Sequence, residues 1–366
     1  MKGAKDRQVD RARASIDRID ERILALLNQR ARSAQRIGRR KAKGIAGNGG
    51  NDFWVPSRER RIFAHLRAVN RGPLSYEALR TIFREIISAS RALETRLTVA
   101  YLGPAGTFTH AAAREQFGAS VTLKAIESIP QIFVEVEHRR ADFGVVPVEN
   151  SSEGPVTSTL DLLVESPLLI TAEVLLDVSQ CLLSRASTLG AVRRVLSHPQ
   201  GLAQCRRWLG QHLPAAAIEE APSTGRAAEL AARDPHAAAI ASRLAAERYD
   251  VRVLAADIQD STANVTRFFV LGTTDASTPS GEDKTSVLCT VKDEVGALAK
   301  LLQPLARERV SLHKIESRPL RGRPWEYVFF LDLRGHRTDA RVRRALARMA
   351  PFTTLTKVLG SYPVGR

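Results

Sequence analysis

Residues 10–42 contain no proline and repeat apolar side chains every three or four positions. One stripe reads Arg13, Ile16, Asp20, Ile23, Leu27, Arg30, Ala34, Ile37 and Lys41. A mostly apolar stripe belongs against a core. Such a helix is about 50 Å long at about 1.5 Å per residue. The rest of residues 1–96 cannot cover a rod of that length, so a helical dimer is the natural solution. The stripe also carries Arg13, Arg30 and Lys41. A cation taken out of water is costly unless it is paired or hydrogen-bonded. A site inside the dimer could draw its cations from both chains.

Composition narrows what those cations serve. The chain has 366 residues, 55 Lys+Arg against 39 Asp+Glu, and a formal charge of +16. The excess is local: residues 1–96 hold 23 basic and 10 acidic groups, and the remainder 32 and 29. Nucleic acid fits poorly, because interleaved aromatics and a helix-turn-helix signal are lacking and the telling cations lie on the apolar stripe. Arg18, Arg22, Arg32, Arg36 and Arg39 read as an ordinary solvated face. No apolar run reaches the roughly 18 residues of a membrane span, and the first ten residues are polar, so no membrane association and a cytoplasmic location are expected. Cys181, Cys205 and Cys289 form no CxxC pair, so neither a disulfide framework nor a metal site is expected.

The Gly-rich stretch 44–52 lacks phosphate-loop spacing. A second helix is expected over about 57–69, opening with Arg58 and Glu59, and a third over about 76–97 behind an N-capping Ser75. The third helix places Ser90 and Glu94 on its apolar stripe. IDRIDERILALLNQRARSAQRIGRRKAK, then SRER, then IFREIISASRALE, together resemble the all-helical chorismate mutase family. That resemblance implies an intertwined dimer binding a dicarboxylate, chorismate. It implies that Arg30 and the partner chain's copy of Arg13 grip the two carboxylates. Lys41 and Glu94 would bond the ether oxygen, Arg58 would add a cation, Glu59 would hold the ring hydroxyl, and Ser90 would line the pocket. Val55 stands where some relatives place a polar or charged residue.

From Leu97 onward short β-rich runs alternate with helical stretches, an α/β texture. Four polar clusters follow strands, where such folds place ligands: YLGPAGTFT at 101–109, VPVENSSEGPV at 146–156, SHPQGLAQC at 197–205 and DSTANVTRFF at 260–269. Together they resemble prephenate dehydratase across nearly all of 97–272. The implied architecture has two lobes, like a periplasmic binding protein, with prephenate in the cleft. Thr266 would be the main catalytic residue, Arg267 would meet a substrate carboxylate and Phe268 would shape the pocket. Thr107, Asn150, Ser151, Gln200 and Asn264 would supply polar contacts. His198 is a candidate general acid, although a His before Pro at a strand end is as often structural. Cys205 is a poor nucleophile candidate, since the chemistry needs no covalent intermediate.

Residues 273–284 read as a linker. Beyond it the order strand, helix, strand, strand, helix, strand reads as an α+β ferredoxin-like sandwich. DEVGAL at 293–298 and KIESRPL at 314–320 resemble the phenylalanine-binding ACT regulatory domain. By that resemblance Gly296, Ala297 and Leu298 with Glu316, Ser317, Arg318 and Pro319 would bind phenylalanine as an allosteric inhibitor at a dimer interface. Val295 stands where relatives often have Pro. The expected domains are 1–96, 97–272 and 285–366. The three in this order resemble the bifunctional chorismate mutase/prephenate dehydratase family, which needs no cofactor. The alternative is a dehydratase whose helical domain is kept only for dimerisation.

Overall fold

The computed structural model describes residues 2–42, 54–261, 263–274, 278–291, 294–320 and 326–365, with the side chains of 2–6 and 42 excepted. The stretch 44–52, Asp293 and Trp325 lie outside the described residues. Two compact units divide the chain: one drawn from 1–54, 69–96 and 117–121, the other from 55–68, 97–116 and 122–366.

The first unit is helical. Helices α1 (Lys2–Ala42), α2 (Pro56–Val69) and α3 (Tyr76–Ala92) cover the three expected stretches, with α1 beginning eight residues before the expected 10–42 and α2 falling almost wholly in the second unit. Ser75 caps α3 by accepting from the Ala78 N–H at 3.1 Å. The helix stops five residues short of the expected end, and the N–H groups of Glu94 and Thr95 close a turn on the Arg91 carbonyl. Residues 7–26 of α1 are all exposed, including Ile16, Ile19, Ile23, Leu24 and Leu26. The stripe meets α3 only farther along, where Leu27, Arg30, Ala34 and Lys41 are half-buried. Trp54 is buried against Phe117, ring centroids 4.6 Å apart.

The second unit contains three sheets. The first is built from β1 (Thr98–Leu102), β2 (Thr122–Ile126), β3 (Phe143–Asn150), β4 (Gly154–Pro155) and β5 (Leu169–Asp177). The second comprises β6 (Cys181–Ser184), β7 (Arg194–Ser197), β8 (Ala217–Glu220), β9 (Ala237–Ala241) and β10 (Arg252–Ala255). The chain then returns to the first sheet as β11 (Val265–Gly272). The strand orders are β2-β1-β3-β11-β5, with β4 paired to β3, and β10-β6-β9-β7-β8. Each has parallel pairs flanked by antiparallel ones, so one lobe repeats the other's plan. Two crossings join the lobes, one at 178–180 and one that includes 256–261 and 263–264, and they bond to each other through Ile258 N–H to the Gln180 carbonyl.

Helices α4 (Phe108–Phe117), α5 (Ile129–Glu137) and α6 (Thr157–Glu165) belong to the first lobe. The second lobe carries α7 (Pro199–Gln204), α8 (Arg206–His212), α9 (Thr224–Ala231) and α10 (Arg243–Tyr249). One face of its sheet packs mostly alanine from β9, α9 and α10, which brings those helices close to the sheet, and the other face packs Leu, Val and Ile side chains.

The third sheet has strands β12 (Asp283–Val291), β13 (Leu312–Pro319), β14 (Tyr327–Arg334) and β15 (Thr353–Pro363), ordered β13-β14-β12-β15 and wholly antiparallel. With α11 (Ala297–Arg307) and α12 (Ala340–Met349) it forms the expected ferredoxin-like sandwich. The expected linker ends two residues late, because Asp283 and Lys284 already belong to β12 and are buried. Charge at those positions reads as solvated loop, but Lys284 is neutralised by Glu173. Strand β15 lies against β5, and Gly360 permits it: a Cβ there would stand 2.1 Å from the Ile170 carbonyl oxygen. Among the described residues no helix is long and apolar enough to cross a membrane, and no cluster of three or more His, Cys, Asp or Glu could hold a metal.

Candidate functional site

A cleft of about 520 Å³ opens between the two lobes, within the usual range for a small-molecule site. All four polar clusters reach it. Its lining includes Thr107 from the first, Asn150 from the second, His198 and Gln200 from the third, and Thr266 and Phe268 from the fourth. The first turns of α4, α7 and α9 also line it, as do Glu127 and Glu153. None of the described lining residues is Lys or Arg.

Asn150 and Thr266 are directly opposed across the antiparallel β3–β11 pair, which puts their side chains on one face within bonding reach. The Asn150 Oδ1 accepts from the N–H groups of Ser152 at 2.9 Å and Glu153 at 3.2 Å. Those two donors fix the amide orientation. The Nδ2 therefore donates, to Asn264 Oδ1 and to Thr266 Oγ1, both at 2.8 Å. Since Thr266 receives a proton on its oxygen from Asn150, its own O–H is left to point elsewhere. Asn264 is 3% exposed and acts from behind Asn150. Ser151 does not line the cleft; it bridges the Ala263 carbonyl and the Val265 N–H, each at 3.0 Å, and so braces the start of β11.

Arg267 departs from its expected place. Alternation along β11 sends it to the face opposite Thr266, where it is buried and ion-paired with Glu173 and Asp332 at 2.6 Å each. Burial acts to lower its pKa, but Tyr362, Asp332 and Glu173 outweigh this and raise it, so the guanidinium stays charged. A substrate carboxylate in the cleft cannot reach it there.

His198 caps α7, its Nδ1 accepting from the Gln200 N–H at 3.3 Å. Gln204, one turn past Gln200, also lines the cleft and takes a hydrogen bond from Gln180 at 3.1 Å. Gln204 was not among the expected site residues, and its i, i+4 spacing from Gln200 is the signal in the sequence that places it on the same face. Thr107 donates to the Leu102 carbonyl at 2.9 Å and accepts from the His110 N–H. His110 stacks on Tyr101 and takes the Gly106 N–H on Nδ1 at 3.0 Å. Burial, then Arg114 and Arg248, push its pKa down to about 4, so it is a neutral acceptor holding that loop. Burial pushes the Cys205 thiol up to about 12, which removes it as a nucleophile at neutral pH.

In the helical unit Arg30 donates to Ser90 Oγ, and Ser90 in turn donates to the Ile86 carbonyl at 2.7 Å. Glu94 is half-buried beside Gly38, where a Cβ would lie 3.0 Å from the Glu94 Cβ. Arg13 is exposed and lies 3.6 Å from Asp10. Arg58 and Glu59 stand in the first turn of α2, in the second unit, and the Val55 carbonyl receives both of their N–H groups. In the ferredoxin-like sheet Gly296 adopts φ +79° just before α11, a conformation that favours glycine, and Val295 beside it is fully exposed. Glu316, Ser317, Arg318 and Pro319 lie on β13, with Arg318 paired to Asp161 of α6 at 3.1 Å.

Three family models match: chorismate mutase type II over 12–95, prephenate dehydratase over 99–276 and the ACT domain over 285–350. The chain is 48% identical to the bifunctional chorismate mutase/prephenate dehydratase of Aquifex aeolicus, covering 96% of each. It is 33% identical to that of Escherichia coli K12, covering 96% of this chain and 95% of the other. A solved prephenate dehydratase from Arthrobacter aurescens, in complex with L-Phe, matches with TM-score 0.68 and 37% identity over 73% of this chain and 90% of that one. Matched along nearly its whole length and in all three domains, the chain belongs to the bifunctional chorismate mutase/prephenate dehydratase family, and it carries both activities beside an ACT regulatory domain.

Proposed function

We propose that the dehydratase reaction runs on the Asn150–Thr266 pair. Prephenate loses CO2 and its ring hydroxyl to give phenylpyruvate, and aromatisation drives the step. The enzyme must help the hydroxyl leave without stabilising the departing carboxylate. Thr266 donates its O–H to the ring hydroxyl oxygen. As the C–O bond breaks, the electrons of the C–CO2 bond enter the ring and the hydroxyl departs as water, with Thr266 reprotonated from solvent. Asn150 holds the Thr266 oxygen so that this proton faces the cleft, and Asn264 holds Asn150. Thr107, Gln200 and Phe268 shape the binding space, and Ser151 braces the strand. The observation that carries this reading is the amide orientation fixed by two backbone donors.

The mutase reaction is assigned to Arg30, Lys41, Glu94 and Ser90 of the helical unit, with Arg13 from a second chain. A pericyclic rearrangement needs a held conformer and a stabilised ether oxygen rather than a nucleophile. The bare apolar stripe on α1 supports a homodimer or higher homo-oligomer, since an exposed patch of that kind marks an interaction surface. If Glu94 acts as a protonated donor to the ether oxygen, Glu94→Gln flattens the mutase pH–rate profile; an unchanged profile refutes that role.

Phenylalanine is assigned to the ACT domain, between the 296–298 turn and residues 316–319, as a feedback inhibitor. The L-Phe complex of the Arthrobacter relative supports this, as does the left-handed Gly296. Biosynthesis of this kind suits the cytoplasm. Unchanged dehydratase rates at saturating phenylalanine would overturn the regulatory reading.

A further inference from the structure

Arg267 stands between two cleft-lining residues, yet its guanidinium serves the other side of the sheet. There its Nε donates to Glu173 of β5 at 2.7 Å, one terminal nitrogen to Asp332 of β14 at 2.6 Å and the other to the Tyr362 hydroxyl of β15 at 3.1 Å. Glu173 is fully buried and also takes Lys284 Nζ of β12 at 2.8 Å and the Gly365 N–H at 2.8 Å. Ser286 donates to Asp332. Beside this cluster Lys314 of β13 pairs with Glu149 at 2.7 Å, and the other Glu149 oxygen is 4.0 Å from Arg267.

The distribution is what matters. Every strand of the ACT sheet contributes at least one polar side chain: Lys284 and Ser286 from β12, Lys314 from β13, Asp332 from β14 and Tyr362 from β15. From the catalytic sheet, Glu149 is the neighbour of Asn150 and Arg267 the neighbour of Thr266. Burying this many charges stabilises little, because desolvation offsets the attraction. Adhesion between the sheets is already supplied by apolar contact among Ile170, Phe269, Leu288, Phe330 and Leu359. What the ions add is direction, since each bond tolerates only a narrow geometry. The β11 ladder on β3 also shifts register between Arg267 and Phe268. Its pairing with β5 stays in register from Val265 to Val270, so a pull on Arg267 is transmitted along β11 to Thr266, and the slack lies toward β3, where Asn150 stands.

We propose that Arg267 is a positioning residue through which the ACT sheet sets the geometry of the Asn150–Thr266 hydrogen bond. The regulatory half of this rests on the phenylalanine reading above. Strand β13 carries Lys314 as well as residues 316–319, so a ligand-driven shift of β13 changes the pull on Glu149 and thereby on β3.

The test uses Asp332→Asn in the full chain. Dehydratase kcat should fall about tenfold with KM within about twofold, because the lost interaction is used in the transition state and not in binding. Mutase rates should be unchanged, and Asp332→Glu should recover most of the loss. Phenylalanine should still bind by calorimetry but inhibit about tenfold more weakly, a loss within the usual range of coupling energies. Unchanged kcat, or inhibition at wild-type potency, would overturn the proposal. Should Asp332→Asn not fold, Lys314→Met, at a side chain only one-fifth exposed, tests the same coupling through Glu149. A wild-type chain that neither binds nor responds to phenylalanine would refute the regulatory reading, and the kcat of Asp332→Asn would then decide the positioning role alone.

Discussion

The helical unit presents cations on a half-buried stripe, whereas the cleft of the second unit presents hydroxyls, amides and helix termini. Arg30 and Lys41 lie on a half-buried stripe; the described lining of the cleft has no Lys or Arg at all. Both substrates are dicarboxylates, so the difference cannot come from ligand charge. It follows from what each reaction does with its carboxylates. The rearrangement keeps both, and a cation that grips them holds the reactive conformer. The dehydration expels one as CO2, and a cation that grips it would stabilise the ground state. Hydroxyls and helix N-termini attract the anion more gently. The two regions also differ in completeness. The cleft closes within one chain, while the apolar stripe of α1 is bare over residues 7–26.

This contrast can be broken by placing a cation in the cleft. Gln200→Lys should lower the KM for prephenate while lowering kcat about tenfold or more, since one charge-assisted hydrogen bond contributes about 1.5–3 kcal/mol. Steady-state kinetics read both constants, and a raised kcat would contradict the argument. The mutase side is sharpened by Gly38→Ala. The added methyl meets Glu94 at 3.0 Å, so chorismate turnover should fall several-fold with prephenate turnover unaltered; equal losses would show a general folding defect instead.

The smallest effect concerns the loop under Thr107. His110 has its pKa lowered to about 4 by burial, Arg114 and Arg248, against about 6.5 unfolded. Unfolding therefore takes up a proton between those values. Stability from this group is intact above about pH 6.5 and is lost as pH falls through about 4. The thermal midpoint should drop over that window, and His110→Gln should make the drop shallower.

Local signals carried much of this into view. The α1 period, the Ser75 cap and the strand–helix alternation of 285–361 are short-range patterns, and the elements follow them. The four polar clusters were visible because each follows a strand and opens toward one cleft. What stayed hidden were pairings between distant segments. Asn150 backs Thr266 from 116 residues away through the β3–β11 register, and no local pattern reports that register. The place of Arg267 is hidden from local pattern for a related reason. Its charge suggested a ligand, but alternation along β11 turns it away, and its partners Glu173 and Asp332 lie 94 and 65 residues off. Lys284 read as linker because its partner is equally remote.

Two separable activities carried by one chain predict separate losses when chorismate is supplied and prephenate and phenylpyruvate are followed individually in Arg30→Ala and Thr266→Ala. Arg30→Ala should abolish chorismate consumption yet convert added prephenate at the wild-type rate. Thr266→Ala should consume chorismate normally and accumulate prephenate, its dehydratase rate down by about 10²–10⁴. Chorismate consumption intact in Arg30→Ala, or phenylpyruvate still forming at the wild-type rate in Thr266→Ala, would contradict the account.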